Sequence, residues 1–269
     1  MRRMSGLFRD GPRFSVPDVA QEELFCRFLT PGPFRAGSGL YLCDNDSLAQ
    51  GITQTVMTES DLKNIPFRIF ILFAGIVVQT LGIAMITTAG LGTTPISTLP
   101  LVTAEVSGLT FGTTTFLINT VLFAVQWALL RRQFPKRNFL QLPAVFVFSL
   151  FIDVAMRAVS FVPLPDYPAR AALSLLGNPF LAAGILLTIK SQTIVQPGEG
   201  FVLALAVVLK KPFSSLKIAN DVGFVAAAAV VGLCFLGTCY GIREATLVSA
   251  VLVGLCVRWM RPLFRMDGV

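Results

Sequence analysis

Long apolar runs separated by short polar connections recur along this chain from about residue 65 onward. Crossing roughly 30 Å of hydrocarbon as an α-helix takes about 20 apolar residues, because each residue adds about 1.5 Å to the helix. Six runs are long enough, near 66–89, 113–130, 140–162, 171–193, 218–239 and 245–262. The pattern therefore predicts an all-α polytopic membrane protein with six transmembrane helices.

Two further apolar runs, near 95–108 and 197–210, are too short to cross a bilayer comfortably. At about 14 residues each, they would extend only about 21 Å as helices. A helix that enters the membrane and returns to the same side is the alternative, provided that protein buries the ends of its backbone. We therefore predict two short re-entrant helices.

The basic residues distinguish this arrangement from one with eight crossings. They form three clusters: Arg131, Arg132, Lys136 and Arg137; Lys210, Lys211 and Lys217; and Arg258, Arg261 and Arg265. Eight crossings would place the first two clusters on opposite sides, whereas six crossings with two re-entrant helices place all three in the cytoplasm. Because an excess of Lys and Arg marks cytoplasmic loops, the charges favour six crossings with both termini inside.

The two halves of the apolar region, 65–163 and 164–269, match weakly at an offset of 102 residues. Pro95 pairs with Pro197 at the start of the two short runs. The other matches are Gly82 and Ile83 with Gly184 and Ile185, Phe111 with Phe213, Thr113 with Ser215, and Asn119 with Asp221. Each half holds three crossings, an odd number, so the second half would be inverted. Inverted repeats with short or broken helices are characteristic of secondary transporters.

Composition agrees with a membrane protein and excludes several functional classes. Hydrophobic residues make up 54% of the chain and charged residues 14%, where soluble domains average about 25% charged residues. The net charge of +7 does not indicate nucleic-acid binding, since the basic residues lie in the connections between apolar runs. The chain has no histidine and no CxxC pair. We therefore expect no metal site, no cofactor and no serine triad.

Residues 1–64 differ from the rest of the chain because they mix Arg, Asp, Pro and Gly without a long apolar run. Two interpretations stay open. The segment is a disordered cytoplasmic tail, or it is an extension that does not belong to the native protein, which would then start at Met57. In either case we expect no function from it.

One motif resembles a known bacterial family. The stretch from Leu81 to Pro95, LGIAMITTAGLGTTP, resembles the G-x-A-x-x-x-x-A-G-L-G-x-x-P signature of the YczE/YitT-like integral membrane proteins. Ser149–Asp153 resembles the third-span motif of that family, and Gln196–Glu199 stands where relatives carry a Pro-x-acidic turn. The resemblance implies a multi-pass protein of a bacterial inner membrane, and it implies no substrate.

The starts of the two short helices are the first candidate site. Thr93, Thr94, Pro95 and Ser97 open one helix, and Gln196, Pro197, Gly198 and Glu199 open the other. Proline suits the first helical turn, and the unpaired N–H groups and dipole of a helix start attract anions and carboxylates. The alternative is that Thr and Glu simply cap their own helices.

Two further sets of polar residues lie at membrane depth. Asp153 and Arg157, four residues apart on one helix face, are expected to form a membrane-embedded ion pair or to line a solute pathway. Asn119, Asn220 and Asp221 would bond neighbouring helices or a ligand. Gln79 and Gln126 are weaker cases of the same kind.

These observations predict a transporter or channel for a small solute, with an anion as one candidate, that binds between the two short helix starts. The alternative is a non-transporting accessory, sensor or assembly protein, in which the polar residues only hold helices together. No enzyme motif appears in its required context, so we expect no enzyme. Beyond the lipid bilayer and a solute, the sequence identifies no partner and no oligomeric state.

Overall fold

Each apolar run forms a helix in the computed structural model, which describes residues 65–131, 134, 136–191, 193–209, 211 and 213–264. The helices are α1 (Ile65–Thr88), α2 (Pro95–Ser107), α3 (Phe111–Leu130), α4 (Gln141–Ser160), α5 (Tyr167–Ser191), α6 (Pro197–Leu209), α7 (Phe213–Leu236) and α8 (Glu244–Met260). Short 3-10 helices cover Lys136–Leu140 and Pro262–Phe264. The described residues contain no β-strand. The two interpretations of residues 1–64 concern a segment outside the described residues.

Five of these helices, α1, α3, α4, α5 and α7, are long and apolar enough to cross a membrane. Helix α8, at the place of the sixth predicted span, has 17 residues. Helices α2 and α6 have 13 residues each and coincide with the two short predicted runs. Large apolar side chains such as Phe70, Val121 and Leu247 face outward, as lipid contact requires. The chain is thus an all-α, multi-pass membrane protein.

Proline and glycine set the limits of the short helix α2. Pro95 occupies its first turn, where a missing N–H is no loss. Gly108 ends the helix with a φ of 68° and donates its N–H to the Ala104 carbonyl, a left-handed cap that suits glycine. The connection from α1 to α2 turns through two more glycines of positive φ, Gly90 and Gly92.

Helices α1 and α5 form the centre of the bundle and pack closely through glycines. A methyl group added to Gly184 would lie 2.5 Å from the Gln79 Cα, and one added to Gly82 would lie 2.8 Å from the Leu181 Cα. The two backbones are therefore almost in contact. Around this pair, α4 packs on α1 and α8 packs on α5, while α2 packs against α3 and α7 and α6 packs against the same two helices.

Candidate functional site

The two short helices start next to each other in the interior of the bundle. Ile96 lies in the first turn of α2 and Gly198 in the first turn of α6, and a methyl group on Gly198 would lie 2.5 Å from the Ile96 Cδ1. Just before α6, Gln196 reaches Gln79 in the middle of α1. The positive ends of two helix dipoles therefore meet near the centre of the molecule.

At the start of α2, the polar groups are paired within the protein. The Thr94 hydroxyl donates to the Ser97 hydroxyl at 2.8 Å, and the hydroxyls of Thr87 and Thr93 lie 2.7 Å apart. The Thr93 N–H donates to the Gly241 carbonyl at 3.2 Å. The Thr94 side chain does not cap the helix backbone, and the polar side chains at this end, all buried, are satisfied by one another.

At the start of α6, two glutamines and one carboxylate surround the helix end. The Gln196 and Gln79 amides bond reciprocally, with N···O distances of 2.8 and 3.4 Å. Glu199 lies in the first turn of α6, where a carboxylate would face the positive end of the helix dipole. The charges of Lys217 and Asp221 on α7 act on Glu199, and these two side chains form a salt bridge of 3.0 Å.

A small cavity of about 30 Å³ lies beside the start of α6, between α1, α3, α4 and α5. Its polar lining residues are Asn119, Gln141, Thr188 and Gln196, and none of the described residues that line it is charged. The other walls are apolar, as at Ile76 and Phe148. A water molecule needs about 10–15 Å³ of such space, so the cavity holds about two water molecules or a solute of similar size.

Gln141, the first residue of α4, is the unusual member of this lining. Its side chain is 1% exposed, and neither its Nε2 nor its Oε1 has a hydrogen-bond partner among the described residues. A buried amide without partners is costly, and native proteins rarely contain one. The lining of the cavity therefore includes one glutamine whose amide is unpaired within the described residues.

The matching position at the start of α2 is crossed by hydrogen bonds between two loops. Thr94 stands 102 positions before Gln196, and Arg243 stands 102 positions after Gln141. Here the Ala245 N–H donates to the Leu91 carbonyl at 3.0 Å, and Arg243 donates to the Gly90 carbonyl at 3.3 Å. We call the contact between 89–93 and 241–246 the α2-side seal.

A tyrosine extends this seal to the far end of α2. Tyr240 lies in the connection between α7 and α8, near Glu105 on α2. Burial raises the pKa of Tyr240, and the neighbouring Glu105 charge raises that pKa further. The phenol of Tyr240 is therefore protonated and uncharged throughout the physiological pH range.

Asp153 has partners other than the expected Arg157. Its Oδ2 accepts from the Thr110 hydroxyl and its Oδ1 from the Gly112 N–H, each at 2.7 Å. Within the described part of the chain, no ion pair joins Asp153 to Arg157. The carboxylate instead joins α4 to the start of α3, where free N–H groups and the helix dipole stabilise it. The expected intrahelical pair is thus corrected to an interhelical contact.

The remaining predicted residues do not come together in one site. Asn119 lines the cavity, but its Nδ2 donates within its own helix to the Thr115 carbonyl at 2.8 Å. Asp221 pairs with Lys217, also within one helix. The Asn220 Nδ2 is buried without a partner among the described residues. The helix-to-helix bonds expected from these residues are therefore not present there.

The polar lining residues that the sequence did not indicate are Thr188 and, with its unpaired amide, Gln141. Gln141 directly follows a basic connection, where a polar residue is ordinary and would be hydrated. Gln79, a weaker candidate by its sequence position, pairs with Gln196. The one sequence signal for Gln141 is its place at the start of the apolar run near 140–162. Among the described residues, no group of three or more Cys, Asp or Glu could hold a metal ion.

Comparison with known proteins gives one match. Residues 66–262 match DUF6198, a family of unknown function. None of the curated proteins and none of the solved structures matches the chain.

Proposed function

The chain belongs to the DUF6198 family, whose function is unknown, and we propose that it is a membrane carrier for a small solute that binds beside the start of α6. The observation that carries this proposal is an asymmetry. A cavity with four polar lining residues lies at the start of α6, whereas loop-to-loop hydrogen bonds cross the matching position at the start of α2. A carrier needs a site that opens to one side at a time.

An inverted repeat is part of the proposal, and the helix limits support it. Helix α2 starts at Pro95 and ends at Ser107, and α6 starts and ends 102 residues later, at Pro197 and Leu209. The same offset relates Ile65 to Tyr167 and Phe111 to Phe213, the starts of α1 and α5 and of α3 and α7.

The crossing of α1 and α5 gives independent support for the repeat. Its close contacts are Gly75 with Thr188, Gln79 with Gly184, Gly82 with Leu181, and Ile86 with Gly177. Positions rise along α1 as they fall along α5, so the helices are antiparallel. Shifting each residue by 102 positions converts the contact of Gly75 with Thr188 into that of Gly177 with Ile86. The same shift converts the contact of Gln79 with Gly184 into that of Leu181 with Gly82. A two-fold axis between inverted halves requires this correspondence.

We further propose that α8 is the sixth crossing and that both termini are cytoplasmic. As a helix of 17 residues, α8 extends about 25 Å, which suffices where a bilayer is slightly thinned. The basic connections then lie inside, the cavity faces the cytoplasm, and the α2-side seal faces outward. The YczE/YitT resemblance favours a bacterial inner membrane for this arrangement.

The alternative is a membrane component that transports nothing. Its polar residues would only hold helices together, and its centre would be dry and packed. The cavity with an unpaired amide at Gln141 favours the carrier. In inverted-repeat carriers, each half adopts the conformation that the other half had, and the site then opens to the other side of the membrane. For this chain, such a change would require the α2-side seal to open.

A reversible crosslink across that seal tests the carrier. In a variant without native cysteines, Leu91 and Ala245 are both replaced by cysteine, since their backbones are hydrogen-bonded. The purified protein is reconstituted, and uptake is measured for a panel of small amides, anions and amino acids. Oxidation should abolish uptake and reduction should restore it, because the seal can no longer open.

The single Leu91→Cys variant, treated with the same oxidant, is the control and should keep its uptake. Two results contradict the carrier. One is that no solute of the panel is moved by the unoxidised protein. The other is that uptake persists although gel analysis shows the crosslink to be complete, which would indicate a path that needs no alternating opening.

A further inference from the structure

We propose that the solute is small, uncharged and able both to donate and to accept hydrogen bonds, and that Gln141 binds it. This inference rests on the carrier function proposed above and adds the class of solute to it. Short amides and urea are the chemical class in question. The inference combines the charge, hydrogen bonding and size of the α6 cavity.

The charges around the cavity favour an uncharged solute. Within the part of the chain that the structure describes, no Asp, Glu, Lys or Arg lines it, and an unpaired ion in such surroundings is strongly disfavoured. The positive end of α6 could in principle hold an anion, but an acidic residue of the chain itself, Glu199, already lies in the first turn of this helix. The expectation of an anion from the sequence is therefore replaced.

The hydrogen bonds leave one group free for the solute. Gln196 is paired with Gln79, and the Thr188 hydroxyl donates to the Gly184 carbonyl. Gln141 alone among the polar lining side chains has a buried amide whose nitrogen and oxygen both lack partners within the described residues. A primary amide presents donors and an acceptor side by side, so its best complement is another amide or a urea.

The size of the cavity limits the solute to a few non-hydrogen atoms. About 30 Å³ corresponds to about two water molecules. Sugars and most amino acids exceed this space, and the apolar walls at Ile76 and Phe148 accommodate a methyl group. Acetamide, with one methyl and one amide group, fits both features.

Matched pairs of neutral and charged probes test the class. The melting temperature of the purified full chain is measured with acetamide against acetate, and with urea against guanidinium, at equal millimolar concentrations. A ligand that binds only the folded state raises the melting temperature. Acetamide or urea should raise it, and acetate and guanidinium should leave it unchanged.

The variant Gln141→Met tests the residue. Methionine has a similar length and no amide, so we expect acetamide affinity to fall about tenfold or more, as the loss of two hydrogen bonds implies. The melting temperature without solute should rise, because a buried amide without partners has been removed. A merely structural glutamine would instead lower the melting temperature when it is replaced.

Gln126→Met is the matched control, since Gln126 is buried but does not line the cavity. This variant should keep the response to acetamide.

The outcomes separate this inference from the carrier proposal. If acetate or guanidinium binds and is transported while acetamide and urea are not, the carrier stands and the solute class is wrong. If Gln141→Met responds to acetamide like the unmodified chain, Gln141 is not the binding residue. If no solute of any charge binds or is moved, both proposals are wrong.

Discussion

At the scale of single residues, glycine determines how closely the two central helices approach. Gly82 and Gly184 lie at the α1–α5 crossing, and they stand 102 residues apart in the chain. In lipid, where helices gain little from hydrophobic burial against each other, small residues allow the close backbone contact that holds them together. A side chain at these positions would separate α1 from α5 and disturb the position of Gln79 beside Gln196.

We predict that Gly184→Ala destabilises the protein whereas Gly223→Ala does not. The new methyl group at 184 would overlap the Gln79 backbone, and overpacking of this kind costs about 1–3 kcal/mol. At Gly223, on the outward face of α7, nothing lies within 4 Å of an added methyl group, so the better helix propensity of alanine should leave stability equal or up to about 1 kcal/mol higher. Thermal unfolding in detergent measures both, and equal melting temperatures would contradict the close crossing.

Single residues also show where sequence reasoning reaches its limit. Thr94 and Gln196 could be selected because a proline directly after each one marks the start of a helix. Gln141 could not, because its burial depends on α1, α3 and α5, which are distant in sequence. Spacing along one helix predicts which residues share a face, but it does not predict which other helix covers that face.

At the scale of elements, the helix limits were predictable wherever the sequence marks them chemically. The short runs expected at 95–108 and 197–210 form helices at Pro95–Ser107 and Pro197–Leu209, because proline fixes each start. Helix α7 begins at Phe213, five residues before the apolar run near 218. Its first turns contain Ser215 and Lys217, which are compatible with a helix but do not belong to an apolar run.

The contact between α4 and the start of α3 gives an element-scale prediction. Asp153→Ala should destabilise the protein by about 1.5–3 kcal/mol, since it removes hydrogen bonds to a charged group from Thr110 and the Gly112 N–H. Arg157→Ala should change stability by less than about 0.5 kcal/mol, because Arg157 is exposed. Chemical or thermal denaturation of both single variants and the double variant measures this.

The double variant tests the alternative directly. If Asp153 and Arg157 act independently, the effects of the two substitutions add. A coupling of 1 kcal/mol or more would instead indicate the intrahelical ion pair that the four-residue spacing suggested, and would contradict the interhelical contact of Asp153.

At the scale of the whole molecule, the two proposed repeats differ in how their helices pack. Helices α3 and α4 pack together, with Asp153 between them, whereas α7 and α8 contact each other much less. The residue that matches Asp153 in the second half is Leu255, which cannot bond the start of α7. Such inequivalence allows one half to hold a cavity while loop-to-loop hydrogen bonds cross the matching position in the other. The offset in the sequence indicated the repeat, but the sequence did not indicate this difference.

The proposed inverted arrangement makes a prediction about sidedness that needs no solute. Asn138→Cys and Lys211→Cys, each placed alone in a chain without other cysteines, should react with a membrane-impermeant maleimide only from the cytoplasmic side. Cys239, retained as the single native cysteine, and Phe161→Cys should react only from the outer side; both positions are exposed. Labelling of right-side-out and inside-out vesicles measures this.

With two re-entrant helices, the connections near 138 and 211 must share a side, whereas eight crossings would separate them. If these two positions were labelled from opposite sides, the inverted repeat would be contradicted. There would then be no reason to expect that the cavity closes and the α2-side seal opens during transport.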